Sequence, residues 1–230
     1  MREAIILAGG AGTRLQSVVS DVPKPMAMVN GRPFLTYLFS FLKQENFNRV
    51  VLSAGYMHET ITGFFKNHYL DLEVEYAIET EPLGTGGALR FAASKAVSDT
   101  PFVFNGDSLF KVSAAELERF HHTRFSDFSI ALREVENASR YGEVQINSDN
   151  AITAFREKQE HAAPGLINGG VYVVNRKKFI DSTPEGNFSL ERDFLAKRPE
   201  TWRFYAKKFQ AYFIDIGIPE DFAKAQHELR

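Results

Sequence analysis

Short apolar runs separated by amphipathic segments dominate the first half of the chain. Glu3 to Ala8, Arg49 to Ala54, Leu72 to Ile78 and Pro101 to Asn105 are short, rich in Val, Ile, Phe and Tyr, and bounded by turn residues, so each reads as a strand. Between them, Phe34, Leu35, Leu38, Phe41 and Leu42 form one apolar stripe at helical spacing, and Ile61, Phe64 and Phe65 form another. A third helix is expected from the Gly86-Gly87 pair, carrying Leu89, Ala92, Ala93 and Ala96. A fourth is opened by Ser113 as N-cap, with Glu116 three residues on in capping-box spacing. Strands alternating with helices demand right-handed crossovers, and therefore an α/β fold with a mostly parallel sheet and helices on both faces. Sheets of this kind bind ligands beyond the carboxyl ends of their strands.

After Asp127 the rhythm changes. Asp127 to Val135, Tyr141 to Ile146, Ala151 to Phe155 and Gly165 to Val174 read as successive strands with short turns, which predicts a smaller, partly antiparallel second lobe. Ala211 to Ile216 returns as a strand, and a closing helix starts at Pro219, a residue suited to the first helical position. No repeat or linker interrupts the 230 residues, so we expect one domain in three stretches: residues 1–126, 127–210 and 211–230.

The composition narrows the partners. With a net charge of −2 and no like-charged block longer than Arg176-Lys177-Lys178, neither a nucleic-acid nor a membrane surface is expected. The absence of cysteine excludes disulfides, thiolate metal sites and cysteine nucleophiles. The N-terminus has no signal-peptide pattern and no run approaches a membrane span, so a cytoplasmic location is expected. The six histidines show no ligand spacing, and His121 and His122 are expected on a helix surface. The 21 phenylalanines are assigned to core.

The chemistry is carried by L-A-G-G-A-G-T-R-L, residues 7–15, on the end of the first strand. The dinucleotide fingerprint fails, because Leu15 stands where its third glycine belongs, and no Gly-Lys follows to make a Walker A loop. Glycines still let backbone N–H groups meet an anion, and Arg14 adds a guanidinium fork for phosphate oxygens. A plain tight turn remains the alternative. Next comes V-P-K-P-M, residues 22–26, in which two prolines are expected to hold Lys24 in an extended segment. Alone, Lys24 reads as a solvated lysine.

Together these motifs resemble the sugar-phosphate nucleotidyltransferases, and the resemblance continues through E-P-L-G-T-G-G-A at 81–88, N-G-D at 105–107, F-R-E-K at 155–158, I-N-G-G at 167–170 and F-I-D-I-G at 213–217. It implies the Rossmann-like nucleotide-diphospho-sugar transferase fold, with nucleotide binding in residues 1–126 and sugar binding in 127–210. The reaction it implies is attack by a sugar 1-phosphate oxygen on the α-phosphorus of a nucleoside triphosphate, expelling pyrophosphate. By this resemblance Leu7 and Ala8 belong to the nucleotide site, the backbone of Gly9, Gly10, Ala11, Gly12 and Thr13 and the side chain of Arg14 hold the β- and γ-phosphates, and Lys24 sits on the α-phosphate. Glu79, Pro82, Gly84 and Thr85 lie near the base, where Gly84, Gly86 and Gly87 would let main chain bond its edge.

The metal implied is Mg²⁺, held by Asp107 and Asp215. Oxygen ligands suit that ion, although an Asp after Gly is also a common turn or cap residue. Asp215, between Ile214 and Ile216, would be costly without a partner. Tyr141, Gly142, Glu157, Lys158, Asn168 and Gly169 are implied on the sugar side, Lys158 meeting the sugar phosphate as part of the catalytic set with Arg14, Lys24 and Asp107. Glu157 and Lys158 could equally be an exposed ion pair, and Tyr141 an ordinary half-buried tyrosine.

Within the family, P-L-G-T-G-G-A looks most like enzymes that take GTP, in particular D-glycero-D-manno-heptose 1-phosphate guanylyltransferases serving surface-polysaccharide synthesis. Mannose 1-phosphate guanylyltransferases and uridylyl- or thymidylyltransferases remain alternatives, as does a catalytically inactive nucleotide-sugar sensor. The motifs leave a homo-oligomer open.

Overall fold

The computed structural model describes residues 1–10, 21–139, 141–156 and 163–230. Strand β1 (Arg2–Leu7) leads to a small hairpin, β2 (Met28–Val29) and β3 (Arg32–Pro33), and then to α1 (Phe34–Gln44). Strand β4 (Phe47–Ala54), α2 (His58–Phe65), β5 (His68–Tyr69), β6 (Leu72–Ile78) and α3 (Gly84–Lys95) follow. Next come β7 (Phe102–Asn105), β8 (Ser108–Phe110), α4 (Ala114–Thr123) and β9 (Phe128–Val135). The chain continues through β10 (Glu143–Ile146), β11 (Ile152–Arg156), β12 (Gly165–Val174) and α5 (Arg176–Ser182). A π-helical turn at Leu190–Leu195 precedes β13 (Phe204–Lys208), β14 (Phe213–Asp215) and α6 (Pro219–Glu228).

The βαβ rhythm builds the expected parallel core, in which β1 lies between β4 and β7 and β6 pairs with the far side of β4. The later strands do not stand apart: β12 pairs antiparallel with β7 and with β9, and so extends the same ten-stranded sheet. The closing strand is shorter than Ala211 to Ile216. It pairs with β8 in a separate two-stranded sheet rather than rejoining the main one.

Side-chain alternation splits the core in two. Ala4, Ile6, Val50, Leu52, Phe102 and Phe104 face one layer, covered by α1, α2, α4 and α6, while Ile5, Val51 and Val103 face the layer made by α3, α5 and the π turn. Phenylalanine fills both, as in the stack of Phe39 on Phe65 at 4.4 Å. Phe64 departs from its expected stripe and is 43% exposed.

His121 corrects the expectation of a surface histidine. It lies one turn beyond Leu117 on the inward face of α4, is 2% exposed, and its Nδ1 is 2.9 Å from Ser129 Oγ. Burial, then the charges of His122 and Arg203, push its pKa down to about 4 against the upward pull of Asp127. The N-cap half of the capping box forms, Ser113 Oγ accepting from Glu116 N at 3.3 Å, while the Glu116 carboxylate pairs with Lys207 at 3.0 Å. No helix among the described residues is long and apolar enough to cross a membrane.

Candidate active site

The strands β1, β4, β6 and β7 run parallel, so their carboxyl ends meet on one side of the sheet. Backbone bonds continue the ladders past those ends: Ala8 N donates to Ser53 O, Glu79 N to Ala54 O and Gly106 N to Leu7 O, all at 2.8–2.9 Å. The result is a cleft of about 890 Å³. It brings together Leu7, Ala8, Gly9 and Gly10 after β1, Lys24, Asp107 after β7, and Glu79, Pro82, Gly84 and Thr85 between β6 and α3. Ala11, Gly12, Thr13, Arg14, Glu157 and Lys158 lie outside the described residues.

A Cβ on Gly9 would stand 2.4 Å from Glu79 Oε1, so a larger residue there would have to displace that carboxylate. The Glu79 carboxylate is tied down beside it, accepting from Ser53 Oγ at 3.2 Å and from Leu83 N at 3.1 Å. Lys24 opens a 3₁₀ turn, Lys24–Met26, rather than continuing an extended segment; only Pro23 before it is extended. The turn buries Lys24 to 9% exposure and delivers its Nζ to Asp107 Oδ2 at 2.5 Å. A buried ammonium requires such a partner.

Asp215 reaches the same place from the other end of the chain. Strand β14 pairs Asp215 with Ser108, and Ile216 N donates to Asp107 O at 2.9 Å. Gly217 N donates to Asp215 Oδ1 at 2.6 Å, and a Cβ on Gly217 would lie 3.2 Å from Lys24 Nζ. That same added Cβ would lie 2.7 Å from Asp215 Oδ1, so the Asp215 carboxylate stands near the ammonium that Asp107 binds. That donor set fits a hard divalent cation: oxygen atoms only, already stabilising a positive charge, and too few to close a coordination sphere without substrate or water oxygens. Among the described residues no group of three or more His, Asp or Glu could hold a metal unaided.

A model of the family described as "Nucleotidyl transferase" matches residues 3–230. The chain belongs to the nucleotidyl transferase family. It is 45% identical over 228 residues to a D-glycero-alpha-D-manno-heptose 1-phosphate guanylyltransferase of Aneurinibacillus thermoaerophilus, covering 99% of this chain and 98% of the relative. A Campylobacter jejuni protein of the same name is 39% identical over 96% of each chain. The structure of HddC from Yersinia pseudotuberculosis complexed with GMP-PN superposes with a TM-score of 0.90 at 38% identity, covering all of both chains.

Two glycines of the L-G-T-G-G stretch are also required by packing within the chain. A Cβ on Gly86 would lie 2.1 Å from the Phe188 ring, and one on Gly87 would lie 2.1 Å from Gly186 O. The N–H of Gly86 donates to Phe188 O at 2.9 Å. These glycines seat residues 186–188 against α3, and the amide of Gly86 is engaged within the protein.

Asn168 and Gly169 lie at a register break in β12, and Tyr141 meets Phe213 of β14 at 6.2 Å. These residues and Gly142 are not in the lining of the cleft. Asn168 Nδ2 donates to the hydroxyl of the fully buried Tyr172 at 2.7 Å, and its Oδ1 accepts from Gly170 N. Asn105, Tyr56 and Glu191 do line the cleft and had not been assigned to it. Asn105 stands inside the quoted N-G-D motif, whereas Glu191 is brought in by tertiary packing alone.

Proposed function

We propose that this chain joins GTP to D-glycero-α-D-manno-heptose 1-phosphate, releasing pyrophosphate and forming GDP-heptose. The observation that carries the enzymatic reading is the pairing of Lys24 with Asp107 in the cleft that Gly9 and Gly10 line, with Asp215 nearby. The choice of base and sugar is supported by relatives of that name that match this chain end to end. The mannose-1-phosphate guanylyltransferase of Mycobacterium tuberculosis is 36% identical, but this chain covers only 64% of it.

Transfer of this kind asks little covalent work of the protein. It depends on bringing two anions into line and neutralising their charge. Lys24, released from Asp107 when a triphosphate arrives, meets the α-phosphate through the ammonium that the 3₁₀ turn holds in place. Asp107 and Asp215 are the residues that would hold Mg²⁺, which when bound supplies positive charge to the phosphate oxygens. The Gly9–Gly10 segment brings main chain close to the leaving β- and γ-phosphates, together with Arg14, and Lys158 with Glu157 engages the sugar phosphate and hydroxyls.

The test is pyrophosphate release from each of GTP, UTP, dTTP, ATP and CTP paired with a panel of sugar 1-phosphates. The proposal expects GTP with the manno-heptose 1-phosphate to give the highest kcat/KM. A preference for mannose 1-phosphate would move the sugar assignment to the second reading, release only with UTP or dTTP would overturn the base, and no release with any pair would overturn the enzyme.

A further inference from the structure

The wall of the cleft between β6 and α3 is built on a segment about a hundred residues further along the chain. Pro82, Gly84 and Thr85 are exposed and line the cleft, so they have little packing of their own to fix them. Their hold comes from outside the loop. Asn187 Nδ2 donates to Pro82 O at 2.7 Å, and Phe188 N donates to Leu83 O at 3.0 Å. Thr85 Oγ1 accepts from Leu190 N at 2.9 Å and donates to Glu191 Oε2 at 2.8 Å.

The start of α3 depends on the same segment. Leu83, the residue before the helix, gives it no side-chain cap, and the amides of Gly86 and Gly87 donate to Phe188 O at 2.9 and 3.4 Å. A helix leaves its first amides unsatisfied, and here a remote carbonyl takes two of them. Gly84 has a φ of +67°, and a Cβ on it would stand 2.6 Å from that carbonyl oxygen. Only glycine allows both the conformation and the approach.

We propose that Asn187 is a positioning residue for the nucleotide: its amide holds the Pro82 carbonyl, and with it the exposed wall 82–85, in the conformation that the triphosphate meets. This rests on the reading above that the cleft takes the triphosphate, since the wall shares that cleft with Gly9, Gly10 and Lys24. Asn187 is not in the lining of the cleft, so its effect on binding passes through the wall. Once its bond is lost, the Pro82 carbonyl turns to water, and apparent affinity falls to the fraction of molecules whose wall is still in place. One neutral hydrogen bond sets that loss at roughly threefold to tenfold.

The experiment compares the wild type, Asn187→Ala, Asn187→Asp and Glu185→Gln. Aspartate keeps the shape of asparagine but has no N–H to give the carbonyl. Glu185 belongs to the same segment, pairs with Arg90 at 3.4 Å and is not in the lining of the cleft. Calorimetric titration gives Kd for GTP, and pyrophosphate release gives KM for GTP and for the sugar 1-phosphate. Both Asn187 variants are expected to weaken GTP by roughly threefold to tenfold in Kd and KM, with KM for the sugar 1-phosphate within about twofold and kcat retained. Glu185→Gln is expected to match the wild type. Unchanged GTP binding in either Asn187 variant would overturn the proposal, as would equal weakening of both substrates or the same loss in Glu185→Gln, the results a purely structural bond would give. If the wild type binds another triphosphate and not GTP, the guanylyl reading falls, and the same comparison with that triphosphate decides the role of Asn187. If it binds a triphosphate but releases no pyrophosphate, the enzymatic reading falls, and the Kd values decide it. A wild type that binds no triphosphate refutes the nucleotide cleft and the role of Asn187 with it.

Discussion

Lys24 and His121 show how a residue's meaning depends on what it packs against. Both are buried, one as an ammonium bound to Asp107, the other as a neutral ring beside Ser129. Because the pKa of His121 falls from 6.5 to about 4 on folding, the unfolded chain binds the proton more readily between those values. Stability from this residue is complete above pH 6.5 and declines as the pH falls toward 4, by on the order of 2–3 kcal/mol. Burial raises the Asp127 carboxyl, but bonds from Arg203 and Lys178 outweigh it and lower its pKa, so its contribution is lost at still lower pH. Urea midpoints measured from pH 7 to pH 4 should fall in the wild type and fall less in His121→Gln; parallel curves would contradict the assignment.

At the scale of elements, the longer strands and helices of the first half were legible because both hydrophobic periods are clean there, whereas β2, β3, β5 and β8, two or three residues each, are too short to show a period. Leu72–Ile78 and Gly165–Val174 match their expected bounds. What could not be read was which elements meet. The antiparallel strands join the main sheet because β12 is long enough to pair with β7 along its second half, a contact between segments far apart in the chain. The glycines at 86 and 87 stood out in the sequence, yet their cause, the packed segment 186–188, lies about a hundred residues on. Gly87→Ala would drive its Cβ toward the backbone oxygen of Gly186 and should cost about 1–3 kcal/mol in chemical denaturation. Gly63→Ala, in α2 with nothing within 4 Å of the added Cβ, should instead be neutral or stabilising by about 0.5–1 kcal/mol. Equal effects at the two positions would show that the 186–188 segment does not pack tightly on α3.

For the whole molecule, the fold collects at the carboxyl ends of four parallel strands a glycine turn, a buried lysine and two acids that are distant in sequence. The motifs around Lys24, Asp107 and Asp215 were legible because each sits at the end of a strand or beside prolines, where local sequence dictates placement. Glu191 was not, because no local pattern connects it to Thr85. In the proposed reaction the sugar phosphate attacks the α-phosphorus of GTP. Parallel reactions with α-labelled and γ-labelled GTP and D-glycero-α-D-manno-heptose 1-phosphate test it most directly. The α label should appear in GDP-heptose and the γ label in pyrophosphate; a γ label recovered as inorganic phosphate, with the α label remaining in free GDP, would contradict it.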